Sequence, residues 1–156
     1  MILILDLDGV LITTPTWKAD TIHSDGYSDF NQSCVENLNE LISFNSFVIW
    51  LSSTRRTTKK LKEFNQIFKN RGINSQIKGF LPNYSDCKNR KEEVSKFISE
   101  KKLKKFLIID DDKSLNELPN KWKQNLILTE FTKGLNRYPR ACPWSFSGLQ
   151  LHAQLT

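Results

Sequence analysis

Apolar residues fall along this chain in two patterns: short unbroken runs, and longer stretches where they recur at helical spacing. The first run, Met1 to Leu5, is too short for a helix and rich in branched side chains, so it predicts a strand buried on both faces. Phe47 to Leu51, Phe106 to Ile109 and Leu126 to Thr129 predict further strands, with a short one near Ser75 to Leu81. Between them lie amphipathic segments. Val35, Leu38, Leu41 and Ile42 share one face of a helix starting near Asn31, and Leu61, Phe64, Ile67 and Phe68 do so from about Thr57 to Arg71, where Gly72 ends the helix. Val94, Phe97 and Ile98 mark a third helix over Lys88 to Lys101, and a short one is expected from Ser114 to about Trp122. Regular alternation of strand and helix predicts an α/β chain: a three-layer, Rossmann-like fold with a central, mainly parallel sheet. One stretch stands apart. Ile12 to Phe30, rich in Thr, Asp, Ser and Gly, reads as a loop or small flap with Trp17 and Tyr27 packed inward.

Composition adds bounds. At 156 residues, 38% hydrophobic and 26% charged, the chain suits one soluble domain with a real core. No apolar run approaches the roughly 18 residues of a membrane span, and the leading apolar run has no basic region before it and meets Asp6 at once, unlike a signal peptide. Three widely spaced cysteines (Cys34, Cys87, Cys142) form no metal-ligand pattern, and a reduced, cytoplasmic chain is expected. The net charge of +6 favours an anionic partner, although lysine-rich faces are also common as plain solvated surface.

The chemistry collects where the apolar runs end. Asp6 and Asp8 follow the first strand, one residue apart, and Gly9 lets the chain turn away behind them. Carboxylates at the end of a buried strand are costly unless compensated, and a hard cation compensates them well. The second strand ends in Ser52-Ser53-Thr54-Arg55. The fourth ends in Asp110-Asp111-Asp112, three mutually repulsive acids. Arg90 and Lys91 open the third helix, against the preference of its dipole for anions. A GxxxxGK[ST] segment is lacking, which argues against a P-loop enzyme.

Taken in order, these features resemble the haloacid dehalogenase-like (HAD) superfamily of aspartate-nucleophile phosphohydrolases, in particular the small capless members that include HAD domains of bacterial RNA-repair proteins. Asp6-Leu7-Asp8-Gly9-Val10 is similar to the first family motif and Ile108-Ile109-Asp110-Asp111 to the fourth. The second can align on Ser52 or Ser53, with Ser52 preferred because it ends the apolar run. The third usually carries lysine. The helix register here favours Arg90, with Lys88 and Lys91 as neighbours. The resemblance spans Leu3 to about Asp112, with a looser echo in Thr132-Lys133-Gly134-Leu135, and implies a domain over 1–138 followed by a tail, 139–156, whose role the sequence does not reveal.

The resemblance also implies roles. Asp6 would attack phosphorus, and Asp8 would protonate the leaving oxygen and then activate water. Mg²⁺ would be held by Asp6, the backbone carbonyl of Asp8, and Asp110, with Asp111 orienting that shell or contributing through water. Ser52, Ser53, Arg90 and Lys91 would bind the phosphoryl group. The intervals between motifs leave no room for a cap domain, so an open site and a phosphorylated substrate such as a nucleotide or a nucleic-acid end are expected. Two other readings stand beside this one: a HAD-like regulatory or binding module that does not turn over, and a basic nucleic-acid-binding protein, although no RNP, zinc-finger or helix-turn-helix signature is present.

Overall fold

Alternation along the first strand sets the layers. In the computed structural model, which describes residues 1–136, Leu3 and Leu5 pack on one side of the sheet, while Ile2 and Ile4 pack on the other. That strand, β1 (Ile2–Leu5), is flanked by β2 (Val48–Leu51) and β4 (Phe106–Asp110), and β3 (Ile77–Phe80) and β5 (Leu126–Leu128) form the edges. All pairings are parallel, in the order β3-β2-β1-β4-β5. The expected tail, 139–156, lies outside the described residues.

Helices cover both faces. α1 (Gln32–Ser43) and α2 (Leu61–Asn70) bury Val35, Leu38, Leu41, Phe64, Ile67 and Phe68 against the Leu3/Leu5 side. α3 (Arg90–Glu100) buries Val94, Phe97 and Ile98 on the Ile4/Ile108 side, together with Leu115 and Leu118. Local chemistry fixes the helix ends. The side chain of Asn31 accepts from the Ser33 N–H at 3.1 Å and that of Asn89 from the Glu92 N–H at 3.0 Å, each satisfying an otherwise orphaned first-turn donor. Gly72, with φ +74°, follows the end of α2.

Three sequence expectations are corrected. The helix expected from Ser114 to Trp122 is two pieces, a 3-10 turn (Lys113–Glu117) and α4 (Asn120–Lys123), because Pro119 holds Leu118 extended at ψ 146°. The segment after β2 begins as a 3-10 turn (Thr54–Thr57), and α2 starts only at Leu61. Tyr27 is buried as expected, but Trp17 is 77% exposed.

The chain runs outward from β1 through β2 to β3, then returns to place β4 on the other side of β1. The sheet therefore reverses its winding between β1 and β4, and in open α/β sheets ligands bind beyond the carboxyl ends of the strands at such a switch point. Above this point the segment before α1 folds only into a hairpin, bridged antiparallel between Ile22 and Ser28 and closed by the His23 N–H donating to the Tyr27 carbonyl at 2.9 Å. No cap domain is present among the described residues.

Candidate active site

Register brings the acids together. Leu5 pairs with Ile109, and the Asp6 N–H donates to the Ile109 carbonyl at 3.0 Å, so Asp6 and Asp110 leave neighbouring strands side by side. One carboxylate oxygen each from Asp6, Asp110 and Asp111 falls within 4.8 Å of the others. Asp6 and Asp110 are buried, and Asp111 is half-buried. Gly9 makes this approach possible. At φ +69° it turns the chain so closely past Asp111 that a Cβ there would lie 2.5 Å from the Asp111 Cγ.

Electrostatics at this cluster are unbalanced. Desolvation raises the pKa of Asp6, outweighing the attraction of Arg90. For Asp110 desolvation again dominates, and the adjacent Asp6 charge adds to it, so this carboxyl is raised as well. Burial raises Asp111 too. The Oδ1 of Asp6 is buried with no hydrogen-bond partner, an expensive state for a carboxylate oxygen. A hard divalent cation fits this donor set. It would take oxygen from three converging carboxylates, offset their repulsion and complete the orphaned oxygen.

One cation is built in. Arg90, the first residue of α3, reaches between the two buried acids, its guanidinium 3.2 Å from Asp110 Oδ2 and 3.8 Å from Asp6 Oδ1. Burial opposes its charge, but Asp110, Asp6 and Glu93 together more than offset this and raise its pKa. The head is held from behind, because Nη1 donates to the Ser52 carbonyl and, at 2.9 Å, to Glu93. Glu93 also pairs with Arg56 at 3.4 Å, and Arg56 donates to the carbonyls of Ser52 at 2.7 Å and Leu81 at 3.0 Å. Two buried arginines bridged by the half-buried Glu93 thus brace the loop after β2.

The two serines lie in this loop, fully buried. The Ser52 hydroxyl donates to Asp110 at 3.4 Å, whereas the Ser53 hydroxyl sits against Asp6 and accepts from the Arg55 N–H at 3.3 Å. Lys91, expected beside the phosphate, has its ammonium on Glu117 at 3.3 Å instead of on the acidic cluster. Lys88 is exposed.

Asp8 is engaged differently from the other acids. The Nε of Arg55 donates to both of its oxygens, at 2.9 and 2.8 Å, and Nη2 donates to Oδ1 at 2.7 Å. The same guanidinium donates to Asp20 and to the Ser28 hydroxyl, each at 2.9 Å. Asp8 is therefore tied through one arginine to the hairpin segment.

The profile of the HAD domain in Swiss Army Knife RNA repair proteins matches residues 2–138. The chain belongs to that family. The match extends over every described element of this HAD domain, in agreement with the capless α/β fold. No curated protein and no solved structure matches the chain.

The sequence marks the strand-end acids and Arg90 of this HAD domain but assigns no role to Arg55, Arg56 or Glu93. Arg55 was visible in Ser52-Ser53-Thr54-Arg55. Its reach to Asp8 and Asp20 depends on the 3-10 turn, which the hydrophobic pattern does not encode.

Proposed function

We propose that this HAD domain is a magnesium-dependent phosphomonoester hydrolase that works through an aspartyl-phosphate on Asp6, with a phosphorylated nucleic-acid end as substrate. The observation that carries the reading is the convergence of Asp6, Asp110 and Asp111 at the topological switch point, with Arg90 between the buried pair and one Asp6 oxygen without a hydrogen bond.

Asp6, Asp110 and the backbone carbonyl of Asp8 would hold Mg²⁺, with Asp111 ligating directly or through water. The ion supplies charge neutralisation to the phosphoryl oxygens when bound. Asp6 attacks phosphorus, splitting a difficult hydrolysis into formation and breakdown of a covalent intermediate. Arg90 partly offsets the cost of the buried Asp6 charge and adds fixed positive charge beside the phosphoryl group. Ser53, beside Asp6, and Ser52, whose hydroxyl lies on Asp110, would supply hydroxyls for a phosphoryl oxygen. Asp8 gives its proton to the leaving oxygen and later takes one from water. Lys91 is left as an outer positive charge.

Three features support the nucleic-acid end: the RNA-repair setting of the family, the uncapped site and the net charge of +6. Phosphate release from an aryl phosphate, with and without Mg²⁺, tests the chemistry. Metal-dependent turnover lost in Asp6→Asn is expected. Tight, salt-sensitive RNA binding with no turnover of any phosphomonoester would instead favour a binding module.

A further inference from the structure

The segment before the hairpin carries an exposed aromatic ring on a braced loop. Its neck is pinned at Asp20, which accepts from the Ser28 hydroxyl at 2.5 Å and from Arg55, whose Nη2 spans Asp20 and Asp8 at 2.9 and 2.7 Å. Its tip is a turn in which the Lys18 N–H donates to the Pro15 carbonyl at 2.9 Å, placing Trp17 at the third position. Trp17 is 77% exposed, the most exposed of the large apolar side chains among the described residues. Ile22, on the hairpin that follows, is next at 60%.

Exposing an indole costs solvation free energy that burial would recover, and this fold buries Tyr27 and Phe30 from the same segment without difficulty. The position is also specific. Trp17 lies three residues from Asp20, so its Cα is at most about 11 Å from that of Asp20, and Asp20 is one guanidinium away from Asp8. The ring is thus carried on a loop tied through Asp20 and Arg55 to Asp8, two residues after Asp6, with the ammonium-bearing Lys18 next to it in sequence.

We propose that Trp17 is a stacking platform for an unpaired nucleobase near the terminal phosphate of a nucleic-acid strand, with Lys18 near the adjoining backbone. This rests on the phosphohydrolase reading and adds to it how the strand end is held. Every base offers a π-face, so such a platform holds a strand end without reading its sequence. Because no cap domain stands over the site among the described residues, a strand can continue past Trp17 into solvent.

The test compares three substrates: an aryl phosphate, a single-stranded oligonucleotide with a terminal phosphate (3′ and 5′ versions), and the same oligonucleotide with abasic residues at that end. In Trp17→Ala, KM for the oligonucleotide should rise about 10-fold, the scale of one lost base stack, with the aryl phosphate unaffected. Trp17→Phe should recover most of the loss. The abasic substrate should carry the same penalty with the unaltered protein, and Trp17→Ala should add nothing further to it. Equal effects of Trp17→Ala on aryl phosphate and oligonucleotide, or none on either, would overturn the proposal. So would turnover of aryl phosphate with neither oligonucleotide accepted, while the phosphohydrolase reading survived. Absence of turnover with every substrate would overturn that reading itself, and the platform with it.

Discussion

Arg55 holds Asp8 through three donor contacts of 2.7–2.9 Å while its remaining guanidinium N–H groups reach Asp20 and Ser28. The carboxylate expected to move protons is thus oriented by the residue that also anchors the hairpin segment. This makes Arg55 a positioning residue. Arg55→Ala should lower kcat at least about 10-fold, since a modest misplacement of a reacting group is costly, while Mg²⁺ affinity stays close to that of the unaltered protein. Arg55→Lys should recover only part, because an ammonium cannot make paired parallel hydrogen bonds. Steady-state kinetics alongside metal titration separates these outcomes. A fall in metal affinity equal to the fall in kcat would place Arg55 in the metal site instead.

Arg90 supplies a second prediction. Its guanidinium lies within 3.8 Å of both buried carboxylates, whereas Lys91 is paired with Glu117 and Lys88 is exposed. Arg90→Ala should cost about 10²-fold or more in turnover, the scale of one preorganised electrostatic group. Lys88→Ala and Lys91→Ala should cost far less. A crippling effect at either lysine with near silence at Arg90 would reassign the cation.

Much of this was legible in the sequence, for identifiable reasons. Buried parallel strands read as unbroken apolar runs, so β1, β2 and β4 and the acids that end them stood out. Arg90 emerged from its register against Val94 and Phe97. What did not emerge depends on backbone detail that hydrophobic patterning leaves unmarked. Pro119 splitting the last helical segment was available from its chemistry alone, yet the apolar spacing suggested one helix. Trp17 was expected inside because aromatic residues generally bury. A tight turn at Pro15 to Lys18 presents it outward instead. The grip of Arg55 on Asp8 joins residues 47 positions apart in loops with no periodicity to read.

Gly9 links backbone conformation to the candidate metal cluster. Gly9→Ala would force a left-handed φ of +69° on a residue with a Cβ and push that Cβ into Asp111. The conformational cost alone is about 1–2 kcal/mol. Thermal unfolding should show the loss of stability, and calorimetry should show weaker Mg²⁺ binding as Asp111 is displaced. Unchanged values in both would mean that the turn relaxes freely.

A third arginine gives a pH dependence away from the site. Arg71, buried beneath the hairpin, donates to both oxygens of Asp25 and to the carbonyls of Tyr27 and Ser28 at 3.1 and 2.8 Å. Its hydrogen bonds hold the Asp25 carboxyl well below the usual carboxylate range. A carboxyl depressed in the folded state contributes stability that is present above its unfolded pKa of about 4 and is lost as pH falls toward the folded value. Melting curves of the unaltered protein should therefore exceed those of Asp25→Asn at pH 7, by about 3 °C if the interaction is worth ~1 kcal/mol. The gap should narrow progressively as pH falls below about 4. A gap that is constant with pH would show that the pair contributes through packing alone.

Asp6 is the residue expected to carry the phosphoryl group. An aryl phosphate has a leaving group that needs little protonation, so Asp8→Asn should still permit the first step while the second, which needs a base to activate water, stalls. Acid-quench mass spectrometry of Asp8→Asn mixed with aryl phosphate and Mg²⁺ should find a phosphoryl group on the peptide containing Asp6, and none when Asp6→Asn is added. Turnover that persists in Asp6→Asn, or a phosphoryl group trapped on any other residue, would contradict the account.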